Sequence, residues 1–445
     1  MTTRLRVVVD QLTAPVPGAV GRYTLDLTRS LIATAPADCE VAGIVSSSPP
    51  SDYERIEADL PGLADLYRTS LARRELAAAW QVGLTTSPGG GIIHSPSLFA
   101  PLRKHDRAGG NQVVVTVHDT MASTHPESLS TVEGAWRRAM LKRAWKHADA
   151  VVVSTHALAG RIGDLHDFGD RIRVISSAAR SGLTIPADAE RRLEALGLPR
   201  AYLVTVGSLE PHRGVGDVLA ALGRPGMPEL PLAVIGPREW GEQQLANVAE
   251  ESGLRRGMVQ SFDTLSDEDL AVVLGGAVAF IAPRHEEGDP ATLIEAFSLG
   301  TPVIHSDIPE YLETAAGAGL AVPVGVAGEG YVNRLAAAIS TVATDDALAE
   351  RPRRRPSTPD RPPISPRRTP TAPGGAAARP ARSAPRPAAP DAGGVRAWAV
   401  RRRRRTGRVR VRDAARSCRA LHEDAGDAPG AREQRCRGDA HECAG

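Results

Sequence analysis

Short runs of β-branched residues alternate with amphipathic stretches over the first 350 residues, the rhythm of buried parallel strands and the helices that cover them. Arg6-Val7-Val8-Val9-Asp10 is the first run; a Pro/Gly-containing loop from Ala14 to Val20 and a helix over about Arg22 to Ala33 are predicted after it. Gly91-Ile92-Ile93-His94 and the stretch from Gln112 to His118 read as further buried strands. A helix rich in Trp, Arg and Lys is predicted from Glu133 to Ala148. It leads into the strand Ala150-Val151-Val152-Val153, and Arg173-Val174-Ile175 closes the set. The alternation restarts near Pro199 with Ala201 to Val206 and continues through Leu232 to Ile235, Ala279-Phe280-Ile281 and Pro302-Val303-Ile304. Two α/β domains are expected, residues 1–195 and 196–350.

Helix-start chemistry sharpens the second half. Ser266 precedes Asp267-Glu268-Asp269 and the apolar run Leu270 to Leu274, so a serine-capped helix is predicted there rather than a metal-binding acid pair. The stretch from Glu287 to Ile304 is the most informative in the chain. Asp289 is expected to cap a helix and Pro290 to occupy its first turn, leaving the following amides without intrahelical acceptors. Such an end holds phosphate well. Glu287 falls in the loop beside it and Glu295 about two turns into the helix, so one carboxylate can face a sugar while the other faces a ribose. Gly300 ends the helix. The plainer alternative is an ordinary βα unit with scattered surface acids.

With seven residues between Glu287 and Glu295, and with Ala296 and Gly300-Thr301-Pro302-Val303 in place, this segment resembles the donor-binding motif of retaining glycosyltransferases of family 4. Asp289-Pro290-Ala291-Thr292 stands where that family usually has Phe-Gly-Leu-Pro. Gly18-Ala19-Val20-Gly21-Arg22-Tyr23 is similar to a Gly-Ile-Gly-Arg-Tyr segment of one branch. Its Gly-x-x-Gly spacing lacks the dinucleotide fingerprint and the acid about 20 residues on, which argues against a dehydrogenase. His118-Asp119, His94-Ser95-Pro96, Ala148 to Thr155, Gly207-Ser208-Leu209 through Arg213-Gly214, and Ser306-Asp307-Ile308-Pro309 match further family segments in the right order, over roughly residues 5 to 350. The usual Asn-Gly after Val174-Ile175 is replaced by Ser176-Ser177-Ala178-Ala179.

The resemblance implies the GT-B fold, two Rossmann-like domains with parallel sheets facing a cleft, and transfer of a hexose from a nucleoside-diphosphate sugar with retention. It implies that Arg213, Ser208 and the amides near Thr292 and Leu293 hold the diphosphate and that Glu295 takes the ribose. Glu287 would contact the donor sugar, Gly21 would pack against the phosphates and His118 would orient the sugar. His94 would line the acceptor side. No metal and no resident cofactor are expected, the sugar nucleotide being a co-substrate. The acceptor, whether glycan, lipid or small molecule, is not legible. A catalytically impaired homologue and a sugar-nucleotide epimerase or hydrolase of similar fold stand as alternatives.

Composition changes the picture at one place. Net charge is +2, but the last 95 residues carry 24 arginines, no lysine and 9 acids, so the body is net acidic. From Arg351 hydrophobic periodicity gives way to Arg, Pro and Ala, including Arg401 to Arg405. This stretch, residues 351–445, reads as a disordered basic tail, and its composition fits out-of-frame translation of a GC-rich gene. Nucleic-acid binding through these arginines is the weakest of the alternatives. Only Cys39 lies in the body, and no apolar run reaches the roughly 18 residues of a membrane span. A cytoplasmic protein is expected, with peripheral contact to the inner face of a membrane left open.

Overall fold

The structure is a computed structural model that describes residues 3–14, 18–84, 91–106, 110–241, 243–286, 288–325 and 328–344. The tail from residue 351 and Glu287 lie outside the described residues.

Seven strands form the first sheet: β1 Thr3–Val8, β2 Cys39–Ser47, β3 Leu66–Ala72, β4 Ile92–Ser95, β5 Gln112–Thr116, β6 Ala150–Val153 and β7 Ile172–Val174. All neighbours run parallel in the order β3-β2-β1-β4-β5-β6-β7. The Val-rich central strands are buried on both faces, as parallel sheets between helix layers require. One face packs through Val7, Val9, Val41, Val45, Tyr53 and Ile56, the other through Val115, Val151, Val153, Trp80, Met140 and Leu158.

The second sheet uses β8 Leu203–Val206, β9 Leu232–Ile235, β12 Val259–Phe262, β13 Ala279–Ala282, β14 Val303–Ser306 and β15 Leu320–Val322, again all parallel, in the order β12-β9-β8-β13-β14-β15. A two-residue hairpin, β10 Glu239–Trp240 with β11 Gln243–Gln244, lies outside it. The helix Ala189–Ala195 packs on Asp267–Gly276, and Leu193 and Leu198 join the core of this second sheet, so its packing begins ahead of residue 196.

In each sheet the strand order reverses once, between β1 and β4 and between β8 and β13. Open α/β sheets bind ligands in the crevice at the carboxyl ends of the strands beside such a reversal. No helix among the described residues is long and apolar enough to cross a membrane.

Several expected boundaries shift. The first helix runs Gly18–Thr34, four residues earlier than predicted, so Gly18 and Gly21 lie inside it rather than ahead of it. The strand predicted through His118 ends at Thr116. The Trp/Arg/Lys-rich helix is Thr131–His147, with the Ser130 hydroxyl accepting from the Glu133 amide. Ser266 caps its helix as expected, accepting from the Asp269 amide at 3.1 Å. Asp289 does not cap its helix. Pro290 is the N-cap of Ala291–Ser298 and has no polar side-chain group to offer, while the Asp289 carboxylate, one residue further out, takes the Ala291 amide and the Ser177 hydroxyl. Gly300, at φ 75°, ends that helix as predicted; the Thr301 amide turns back to the Ala296 carbonyl, and a left-handed residue there suits glycine.

Candidate functional site

The reversal in the second sheet brings two loops together. One leaves β8 as Gly207-Ser208 and turns through the short helix Pro211–Arg213; the other leaves the neighbouring β13 and leads to the helix Ala291–Ser298. The His285 amide donates to the His212 carbonyl at 2.9 Å, and the His285 ring bonds Asp217 at 2.7 Å, fastening one loop to the other. Ser208 is buried, and the Arg213 Nε lies 3.4 Å from Glu210. Burial, helped by the Arg213 charge, pushes the His212 imidazole down to about 4, so it is neutral near pH 7.

The first turn of Ala291–Ser298 has orphan amides by geometry. The Ile294 amide reaches the Pro290 carbonyl, and that of Ala291 bonds Asp289, leaving the amides of Thr292 and Leu293 without intrahelical acceptors. The Leu293 side chain is buried and anchors this turn in the core. Glu295 follows at 3 % exposure. It does not face open solvent: the Arg180 guanidinium grips both its oxygens, Nε to Oε1 at 2.7 Å and Nη2 to Oε2 at 3.2 Å. Arg180 also donates to Asp267 at 2.9 Å, and Asp267 in turn pairs with Arg22 at 2.5 Å. Burial works against the Asp267 carboxylate, yet the two guanidiniums hold its pKa below the ordinary value. The chain Arg22–Asp267–Arg180–Glu295 therefore crosses from the first-domain helix to the second domain with alternating charge.

From the first domain, the backbone after β5 meets this face directly. A Cβ on Gly288 would fall 1.7 Å from the His118 carbonyl oxygen, so only glycine fits there, and the Gly288 carbonyl accepts from Ser154 at 2.7 Å. His118 donates through Nε2 to the Pro96 carbonyl at 2.7 Å, which turns Nδ1 toward Asp289 Oδ2 at 3.8 Å. Its ring meets Tyr23 edge-on at 4.8 Å between centroids. Burial opposes the Asp289 charge, but the neighbouring His118 ring and hydrogen bonds from Ser177 and the Ala291 amide keep its carboxyl below the usual range. Nearby, Glu286 takes Thr124 at 2.9 Å and His125 at 3.1 Å, and His125 stacks on His212 with centroids 5.2 Å apart.

Ser208, Arg213, Thr292, Leu293 and His118 all follow the carboxyl ends of their strands and Glu295 lies on the helix after β13, while Glu287 is not among the described residues. Gly21 lies buried in the first turn of its helix, one residue before Arg22. His94 sits in β4 between Val7 and Val114, its Nε2 3.1 Å from the Thr116 hydroxyl; burial drives it down to about 4. Asp10, at the first sheet's reversal, is engaged by the Ser46 amide and Arg73, a structural arrangement. The sequence reading missed Arg180, Ser177, Glu286 and His125. The missing Asn-Gly at residues 176–179 was the one local signal, and it marked Ser177 but not Arg180, which follows that departure. Among the described residues, no group of three or more His, Cys, Asp or Glu could hold a metal ion.

Two family models match the chain: "Glycosyltransferase Family 4" over residues 20–178 and "Glycosyl transferases group 1" over residues 188–356. An O-antigen chain mannosyltransferase B of Escherichia coli is 26% identical over 359 residues, 76% of this chain and 89% of that protein. A glycogen synthase of Mycobacterium tuberculosis is 30% identical over 253 residues, covering 54% of this chain and 57% of its own length. Among solved structures, a sucrose-phosphate synthase of Thermosynechococcus elongatus superposes with TM-score 0.58 at 19% identity, over 78% of this chain and 91% of that one. The HepE protein of Anabaena, in complex with UDP and glucose, gives 0.57 at 17% identity over the same shares.

Proposed function

Because the chain belongs to the group 1 and family 4 glycosyltransferases of GT-B fold, we propose that it transfers a hexose from a nucleoside-diphosphate sugar to an acceptor with retention at the anomeric carbon. The observation that carries this reading is that the Ser208–Arg213 loop and the helix start with the Thr292 and Leu293 amides follow neighbouring strands at a sheet reversal. Peptide dipoles and a guanidinium in that position suit the charge a departing diphosphate gains in the transition state. Arg213 binds phosphate oxygens in bidentate fashion, and Ser208 adds a hydroxyl donor. Glu295 takes the ribose hydroxyls and Glu287 the donor sugar. Asp289 has its acceptors turned to Ser177, His118 and Ala291, so its negative charge is partly satisfied within the protein rather than aimed at the diphosphate.

His118 is a positioning group in this reading. With Nε2 fixed on Pro96, its ring is held against Tyr23 and presents Nδ1 toward the helix start. Gly21 allows the first-domain helix to approach the phosphates. No resident cofactor enters the scheme. The relatives include a mannosyltransferase and a glycogen synthase by name, and the HepE complex contains UDP and glucose, so mannose and glucose are the first hexoses to try. Both hexoses belong in the donor panel. A cytoplasmic location with peripheral membrane contact fits a lipid-linked acceptor.

The test is a panel of nucleoside-diphosphate hexoses with and without mono- and oligosaccharide or polyprenyl-phosphate acceptors, the products read by proton NMR. Acceptor-dependent release of nucleoside diphosphate and a product with the donor's anomeric configuration are expected. Inverted product contradicts retention. Epimerised or hydrolysed sugar at full rate without any acceptor favours the epimerase or hydrolase alternative.

A further inference from the structure

We propose that Arg180 is a built-in competitor for the nucleoside subsite of the donor, holding the Glu295 carboxylate until a ribose diol displaces it. The inference rests on the reading of Glu295 as the ribose ligand. In this structure Arg180 already satisfies both Glu295 oxygens, at 2.7 and 3.2 Å, in the paired geometry that makes guanidinium–carboxylate contacts strong. A ribose offers two adjacent O–H donors for the same two acceptors. At 3 % exposure Glu295 cannot turn to water for partners, so cation and diol are alternatives at one carboxylate.

The surroundings make the exchange feasible. The Arg180 Nη1 is also bonded to Asp267, itself 40% exposed in its side chain and paired with Arg22. A guanidinium leaving Glu295 keeps that second carboxylate, so its release does not strand a buried cation. Arg180 follows Ser177 by three residues, and Ser177 bonds Asp289 at the start of the helix that carries Glu295. One stretch of chain after β7 thus straps the helix Ala291–Ser298 from its start to its second turn. Apparent donor affinity then equals the intrinsic affinity reduced by the fraction of molecules in which Glu295 is free.

The experiment is isothermal titration of the full-length chain with UDP, GDP and ADP, each beside its 2′,3′-dideoxy analogue, for the wild type, Arg180→Gln, Arg180→Lys and Arg192→Gln. Arg192 pairs with Asp269 on the same second-domain helix as Asp267 and serves as the control for loss of an ion pair. Thermal unfolding checks that each variant is folded. Arg180→Gln should bind the preferred diphosphate about tenfold tighter than wild type, a gain absent with the dideoxy analogue, while Arg192→Gln stays within about twofold. Arg180→Lys, which keeps the charge but loses the fork, should fall between, and it decides the matter if the glutamine variant does not fold. A wild type that binds diphosphate while neither Arg180 variant tightens overturns the competitor role and leaves the transferase reading standing. Failure of every protein to bind any of the three diphosphates overturns both.

Discussion

Gly288 and His118 meet so closely across the two domains that a single added methyl on the glycine would lie 1.7 Å from the histidine's carbonyl oxygen. Backbone, not a flexible side chain, stands in the way. Gly288→Ala is therefore expected to push the second-domain loop off the first domain, and with it the Ser154–Gly288 hydrogen bond. A loss of about 2 kcal/mol in urea unfolding is the expected size for such overpacking. Wild-type stability in this variant would mean that the contact is not maintained in solution.

Glu295 carries a structural role as well as a proposed binding one. Glu295→Ala leaves Arg180 with Asp267 as its remaining carboxylate, so the cation is not stranded, and should cost about 1 kcal/mol by denaturant titration. Removing both partners is less damaging than the sum of the single changes, because Arg180→Gln alone leaves the 3 % exposed Glu295 carboxylate without its cation and the double change does not. An additive double variant would contradict the pairing.

Stability should also depend on pH through His94. Burial holds its imidazole down to about 4, against 6.5 when unfolded. Between those values the unfolded chain binds a proton that the folded one excludes, so stability is full above pH 6.5 and declines as pH falls toward 4. The full decline from this group is on the order of 3 kcal/mol. His212 shifts in the same direction, through burial and Arg213, so His94→Gln should remove only part of the slope. A slope unchanged by His94→Gln would sink the assignment.

Arg213 is expected to act mainly on turnover. Arg213→Ala should lower kcat about a hundredfold, as loss of a group that stabilises developing charge does, with Arg213→Lys restoring part of it. An effect confined to KM would make Arg213 a ground-state binder only.

The sequence was most legible where structure is decided locally. Ser266 and Gly300 announce a helix start and a helix end within three or four residues, and the apolar runs at Ala279 and Val303 can hardly be anything but buried strands. The strand Leu66–Ala72 escaped notice because Arg68, Thr69 and Ser70 interrupt its apolar run at the sheet's edge. Asp289 misled by one position: acids favour the N-cap, but the structure starts the helix after Pro290 and turns the carboxylate to Ser177. Arg180 was invisible for a different reason. Its partner lies 115 residues away in a different domain, and no local spacing encodes such a pair.

The cleft edge to which Thr292, Leu293 and Arg213 are assigned is expected to hold a diphosphate. Calorimetric titration of the wild type and Arg213→Ala with a nucleoside and its diphosphate, in the same buffer, measures this directly. The diphosphate should bind the wild type at least about tenfold tighter than the nucleoside, and the gap should shrink in Arg213→Ala. Equal affinities for the two ligands in the wild type, or a gap indifferent to Arg213, would contradict it.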